Sequence, residues 1–139
     1  MAMLTVVFEK QEDVADELLR FAVIVSRYQG KWIYCQHKDR VTWEIPGGRR
    51  EPDEAILDTA KRELYEETGA TSFELRPINA YAVVGDTKSY GLLCFAEIHE
   101  LGPLPNLEIE TIRFFEALPQ ALTYPQIQPY LFEQVRSVL

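Results

Sequence analysis

Two rhythms of apolar and polar residues run along the chain, and the switches between them mark its elements. Residues 4–8 form a short β-branched and aromatic run that predicts a strand, followed by a charged connection over 11–17. Phe21, Val23, Ile24 and Val25 give 20–28 strand character, and Trp32, Ile33, Tyr34 and Cys35 resume it beyond Gln29 and Gly30, so a hairpin is predicted. Both arms are apolar on successive residues, which places them inside a sheet. From Trp43 strand character runs to Pro46 and stops, where Gly47 and Gly48 permit backbone angles closed to other residues.

The period then lengthens. Ile56, Leu57, Ala60 and Leu64 form one apolar stripe and predict a helix over 51–68. Pro52 suits the first helical position, Asp53 and Glu54 put negative charge in the first turn, and Gly69 sits where a left-handed cap is wanted. A second strand pair is predicted over 73–84 and 90–98 across a polar turn. A Pro-containing loop at 102–106 leads to a strand over 109–115. A terminal helix over 129–139 is expected to bury Leu131, Phe132, Val135 and Leu139. Mixed helices and hairpin-connected strands predict an α+β fold or a three-layer α/β/α arrangement.

Composition narrows the class. With 139 residues, 47% hydrophobic and 26% charged, 1–139 is expected to form a single globular domain. Cys35 and Cys94 have no partners at metal spacing and read as core thiols of a reducing compartment. The apolar opening at 1–8 lacks a basic stretch, and no segment approaches the roughly 18 apolar residues that span a bilayer, so a cytoplasmic protein without a membrane partner is expected. A net charge of −8 argues against non-specific, stable binding of nucleic acid.

Where that charge lies matters more than its size. Between Glu51 and Glu67 seven acids face two bases, a net −5 of the whole chain's −8. At about 100° per residue Glu63, Glu66 and Glu67 converge on one arc, and Glu67 falls about 20° from Ala60, in the middle of the apolar stripe. A carboxylate taken out of water costs several kcal/mol unless paired, and Lys61 and Arg62 cannot neutralise three. A hard divalent cation, Mg2+ or Mn2+, resolves the conflict. Gly47, Gly48, Arg49 and Arg50 lie just upstream, so anion-binding groups face cation-binding acids, the composition of a metal-assisted phosphoryl or pyrophosphoryl site.

Gly48, five residues, Glu54, seven residues, then Arg62-Glu63-Leu64-Tyr65-Glu66-Glu67-Thr68-Gly69-Ala70 resembles the Nudix box at every defined position. Its seven fixed positions coincide by chance on the order of 10⁻⁸ times per start site at ordinary residue usage. The residues 43–47 before the box and 114–119 after it are also similar to Nudix domains, so the resemblance extends from about Phe21 to the C-terminus. It implies an α/β/α sandwich with a mixed central sheet and a catalytic loop-helix-loop. It also implies metal-dependent hydrolysis of a nucleoside diphosphate linked to a further group. Carried over position by position, Glu63, Glu66 and Glu67, with the Gly47 carbonyl, would hold Mg2+ or Mn2+. Glu54 and Arg62, on helical geometry pointing away from that arc, would form an ion pair that aims the ligands. The attacking water needs a general base, for which Glu108 and Glu66 are the candidates.

The stretch from Gly30 to Gly48 is most similar to the MutT-like, YtkD-type branch, which implies a small-molecule nucleotide substrate. The expected one is a (deoxy)nucleoside triphosphate, including an oxidised purine, cleaved to a monophosphate and pyrophosphate. Lys38, Arg40, Arg49 and Arg50 are candidate phosphate contacts. His37 is read chiefly as a strand-end surface residue, with substrate contact as its alternative, and Tyr81, Tyr90, Phe95 and Trp43 as core aromatics able to stack a base. Dinucleoside polyphosphates, nucleotide sugars, capped RNA ends and a non-catalytic nucleotide sensor are the rival readings, and a monomer and a homodimer are equally compatible with the sequence.

Overall fold

The computed structural model describes residues 3–139; Met1 and Ala2, the start of the apolar opening, lie outside them. Its elements are β1 (Thr5–Glu9), β2 (Leu19–Tyr28), β3 (Lys31–His37), β4 (Gly47–Arg49), α1 (Ile56–Thr68), β5 (Ala70–Val84), β6 (Lys88–Leu101), β7 (Ile109–Phe115) and α2 (Gln128–Ser137). Two 3-10 turns, Gln11–Asp13 and Asp16–Leu18, fill the charged connection. The seven strands form one mixed sheet in the order β1-β5-β6-β2-β3-β7, with β4 also paired to β2. Only β2 and β6 run parallel; the other pairs are antiparallel.

Gln29 and Gly30 join β2 to β3 at φ 50° and 81°. Two successive positive-φ residues match the twist of the flanking strands, and this explains the tight turn. Strand β2 then divides one edge between two partners. Ser26 to Tyr28 pair with β3, and Phe21 to Val23 pair with β4. The chain between them is thereby held against the middle of the sheet.

Alternation along the strands sorts the core into two layers. Ala22, Ile24, Ile33, Ala80, Leu92, Cys94 and Ala96 face α1 and pack with its Ile56, Ala60 and Leu64. Val25, Trp32, Tyr34, Tyr81, Leu93 and Phe95 face the other way and pack with Leu131, Phe132 and Val135 of α2. Helices on both faces of a mixed sheet make the expected α/β/α sandwich.

Several boundaries differ from expectation. Helix α1 begins at Ile56, five residues late, because Asp53 adopts φ 63° and breaks the helical path after Pro52. Leu57 stays exposed while Thr59, Glu63 and Glu67 join Ile56, Ala60 and Leu64 at buried positions. The buried stripe is thus rotated toward the carboxylates. Gly69 caps the helix as expected, at φ 80° with its N–H on the Tyr65 carbonyl. Gly47 and Gly48 do not turn the chain; they begin β4, and neither has positive φ. Their role is close approach: a Cβ on Gly47 would sit 2.5 Å from the Ala22 carbonyl oxygen, and one on Gly48 2.0 Å from Glu63 Oε2. Leu139 lies beyond α2 and remains exposed.

Candidate active site

A cleft of about 980 Å³ opens where β4, α1 and the ends of β3 and β7 meet. The last two turns of α1 bring Glu63 and Glu67 to its floor, both buried, and Glu66 beside them, partly exposed. Glu67 Oε1 accepts the Gly47 N–H at 2.9 Å, which fixes helix to strand. The opposite wall comes from the far end of the sheet. His37 closes β3 and is paired in register with Ile109 of β7, and the Lys38 N–H donates to the Glu108 carbonyl at 3.0 Å. Those contacts dock exposed Glu108 beside His37, so that one ligand atom each of His37, Glu67 and Glu108 lie within 4.8 Å of one another.

Arg62 reaches further than helical geometry predicted. Its guanidinium donates to Glu54 Oε2 at 2.8 Å as expected, but it also curls back to Glu63 Oε1 at 3.0 Å and Glu66 Oε1 at 3.3 Å. A long side chain places its head well away from its own Cα, so the angle of Arg62 on the helix does not fix where its guanidinium binds. A further donation to the Arg49 carbonyl ties the hub to β4. Glu54 in turn accepts from the Thr59 hydroxyl at 2.6 Å and from the Glu51 N–H. These bonds, above all that from Arg62, hold the Glu54 carboxyl down at about 2.

The floor behaves oppositely. Burial lifts Glu63 to about 7, against the pull of Arg62 and with a further push from Glu66. Burial likewise lifts Glu67 to about 8; the Gly47 hydrogen bond opposes this and the neighbouring Glu63 adds to it. Among the described residues no Lys or Arg bonds Glu67, and its Oε2 accepts no hydrogen bond. Buried Cys35 lies below, its Sγ 3.8 Å from Glu67 Oε1, its own thiol pushed up chiefly by burial. Negative charge drawn out of water without a matching cation, in a cradle that a Gly48 Cβ would fill, fits a divalent metal ion with oxygen ligands. Glu63, Glu66, Glu67 and Glu108 could supply those oxygens.

The expected phosphate contacts separate. Arg40 and Arg49 line the cleft, Arg40 ion-paired to Glu44 and Arg49 over the Phe21 ring. Arg50 also lines it but is committed to Asp16 and the Glu54 carbonyl. Lys38 is bound to Asn106 on the surface. Of the aromatics considered, Tyr81 lines the cleft, whereas Trp43 and Phe95 pack in the α2-side core. Sequence reasoning missed Glu44, Phe21, Tyr124 and Gln128 on the walls. Glu44 is 7% exposed, and an acid between the apolar Trp43 and Ile45 was the available signal.

The family model for the NUDIX domain matches residues 16–133. The Bacillus subtilis protein provisionally named 8-oxo-dGTP diphosphatase YtkD is 35% identical over 102 residues, covering 72% of this chain and 64% of the relative. The RNA pyrophosphohydrolase of Bartonella henselae is 40% identical over 62 residues, 38% of this chain and 36% of that protein. The chain thus spans less than two-thirds of both relatives. Among solved structures, the Bacillus subtilis pyrophosphohydrolase BsRppH superposes with a TM-score of 0.79 at 25% identity, covering 99% of this chain and 92% of that one. A NUDIX hydrolase from Nitrosomonas europaea shares the fold, with a TM-score of 0.69 at 19% identity over 86% of this chain and 90% of the other.

Proposed function

The chain belongs to the Nudix family of hydrolases, and from that premise we propose that it cleaves a nucleoside triphosphate, including an oxidised purine deoxynucleotide, to a monophosphate and pyrophosphate. The observation that carries this reading is the pair of buried carboxylates Glu63 and Glu67, without a matching Lys or Arg on Glu67, set against glycine backbone at the floor of a cleft large enough for a nucleotide. Nudix hydrolases work with divalent cations, and the proposal takes Mg2+ or Mn2+ as the ion here. When bound, the ion would offset charge on the phosphates and lower the pKa of water.

The chain's own residues divide the remaining work. Glu63, Glu66 and Glu67, with the Gly47 backbone, hold the ion. Glu54 clamps Arg62, and Arg62 steadies Glu63 and Glu66, so that the ligand set is rigid before substrate arrives. Arg49, exposed at the cleft rim, meets the phosphates, and Phe21, Val23, Tyr81 and Val83 give the base an apolar wall. Glu108, exposed at the mouth and held beside His37, and Glu66 are the two carboxylates placed to take the proton from the attacking water, each through an oxygen the ion does not engage. The proposal treats 1–139 as one catalytic domain.

A second reading rests on the RNA pyrophosphohydrolase relative and on BsRppH: the triphosphate would be the 5′ end of an RNA. Nucleoside triphosphates, their oxidised purine forms and a 5′-triphosphorylated oligonucleotide, each supplied with Mg2+ and with Mn2+, separate the two readings by product identity. Metal-dependent formation of monophosphate and pyrophosphate from the free nucleotides supports the first. Turnover confined to the oligonucleotide transfers the assignment to RNA ends, and no hydrolysis of any of them overturns both.

A further inference from the structure

His37 sits at the end of β3 with its imidazole turned into the cleft, 3.8 Å from Glu67 Oε2 and 3.6 Å from Glu44 Oε2. Both separations are too long for a hydrogen bond, and they are ion-pair distances when the ring is protonated. The 3.8 Å separation from Glu67 Oε2 also falls within the range a shared cation produces. Ligand atoms bound at about 2.1 Å lie between roughly 3.0 Å apart when adjacent and 4.2 Å when opposed. The nearby carboxylate of Glu108 completes a three-donor set whose atoms all lie within 4.8 Å, and a small adjustment of that exposed side chain closes it. Glu67, 95% buried, aims an oxygen that accepts no hydrogen bond from the described residues into this same space.

We propose that His37 is a nitrogen ligand to a divalent cation that it shares with Glu67 and Glu108. This rests on the reading of the cleft as a metal-dependent site and adds a donor to it. His37 lies thirty residues from Glu67 and reaches it through the β3–β7 pairing and the docking of α1, which no local pattern announces. The chemical consequence is selectivity. An imidazole raises the preference for Mn2+, and still more for Zn2+ or Co2+, over Mg2+ beyond that of an all-oxygen set.

The proposal is tested by electron spin-echo modulation of the Mn2+-loaded protein, a readout independent of turnover. The chain has 2 histidines, and the other, His99, is paired with Glu74 at 2.9 Å on the exposed surface. Nitrogen modulation from bound imidazole is expected in the unaltered protein and in His99→Gln, and its loss in His37→Gln. Mn2+ affinity is expected to fall at least about tenfold in His37→Gln, and Mg2+ affinity to fall less. Labelling the histidines with 15N in the unaltered protein and in His99→Gln gives the same answer even if the His37 variant fails to fold. Mn2+ bound without nitrogen modulation, or with modulation that survives in His37→Gln, overturns the ligand role of His37 and leaves the carboxylate site standing. No bound Mn2+ at all overturns both.

Discussion

Helices α1 and α2 cover opposite faces of one sheet, and they are built to opposite ends. Helix α2 buries Leu131, Phe132 and Val135 against an aromatic layer in which Trp32 meets the Phe132 ring edge-on at 5.0 Å. Nothing on its buried face except Gln128 is polar, and that amide accepts the Ile45 N–H at 2.8 Å. Helix α1 packs through Ile56, Ala60 and Leu64 onto a layer rich in Ala, and spends neighbouring buried positions on Glu63 and Glu67. A carboxylate at a buried site opposes folding unless something compensates it. One helix therefore anchors the sheet, and the other holds charge ready for a ligand at the expense of stability.

The largest effect that would sharpen this contrast is on the α2 side. Phe132→Ala should cost about 3–5 kcal/mol by removing a buried ring, read by denaturant unfolding, while the folded fraction still binds Mn2+ with unchanged affinity. Loss of metal affinity in that variant would mean that the two faces are not separable. Next comes Glu67→Gln, which keeps an acceptor for the Gly47 N–H but removes the charge. Turnover should fall at least about a hundredfold, and the metal-free protein should melt no lower than the unaltered one. A large drop in melting temperature would show that Glu67 supports the fold and would break the comparison.

A smaller effect follows from Glu54, whose carboxyl is held at about 2, chiefly by Arg62, against an ordinary value of 4.5. A lowered carboxyl contributes stability that is complete above its unfolded value and disappears as pH falls through its folded value. The melting-temperature gap between the unaltered protein and Glu54→Gln should therefore be full above about pH 5 and shrink toward pH 2. A gap that is constant across that range would remove the Arg62 pair from the stability of the loop.

Features that depend on local chemistry were legible in the sequence. The Gly69 cap, the 109–115 strand, the Gln29-Gly30 turn and the burial of Glu67 all follow from spacing and from backbone preferences of single residues. What was hidden depends on contacts distant along the chain. Gly47 and Gly48 promise special backbone angles, yet they are small because the Ala22 carbonyl and the Glu63 carboxylate occupy the space a side chain would need. Arg62 looked turned away from the ligands, yet its length brings it back. His37 and Glu44 join the cleft through strand pairing that no periodicity announces, Tyr124 arrives from the segment leading into α2, and Gln128 from the first residue of α2 itself.

The claim that charge is buried on α1 in order to hold a cation is tested most directly by melting the protein with and without Mn2+, alongside Glu67→Gln. The account predicts a clear rise in melting temperature on adding Mn2+ to the unaltered protein, and less than about half that rise in the variant, since an ion that binds only the folded state stabilises it in proportion to its affinity. No rise in the unaltered protein, or equal rises in both, would contradict it.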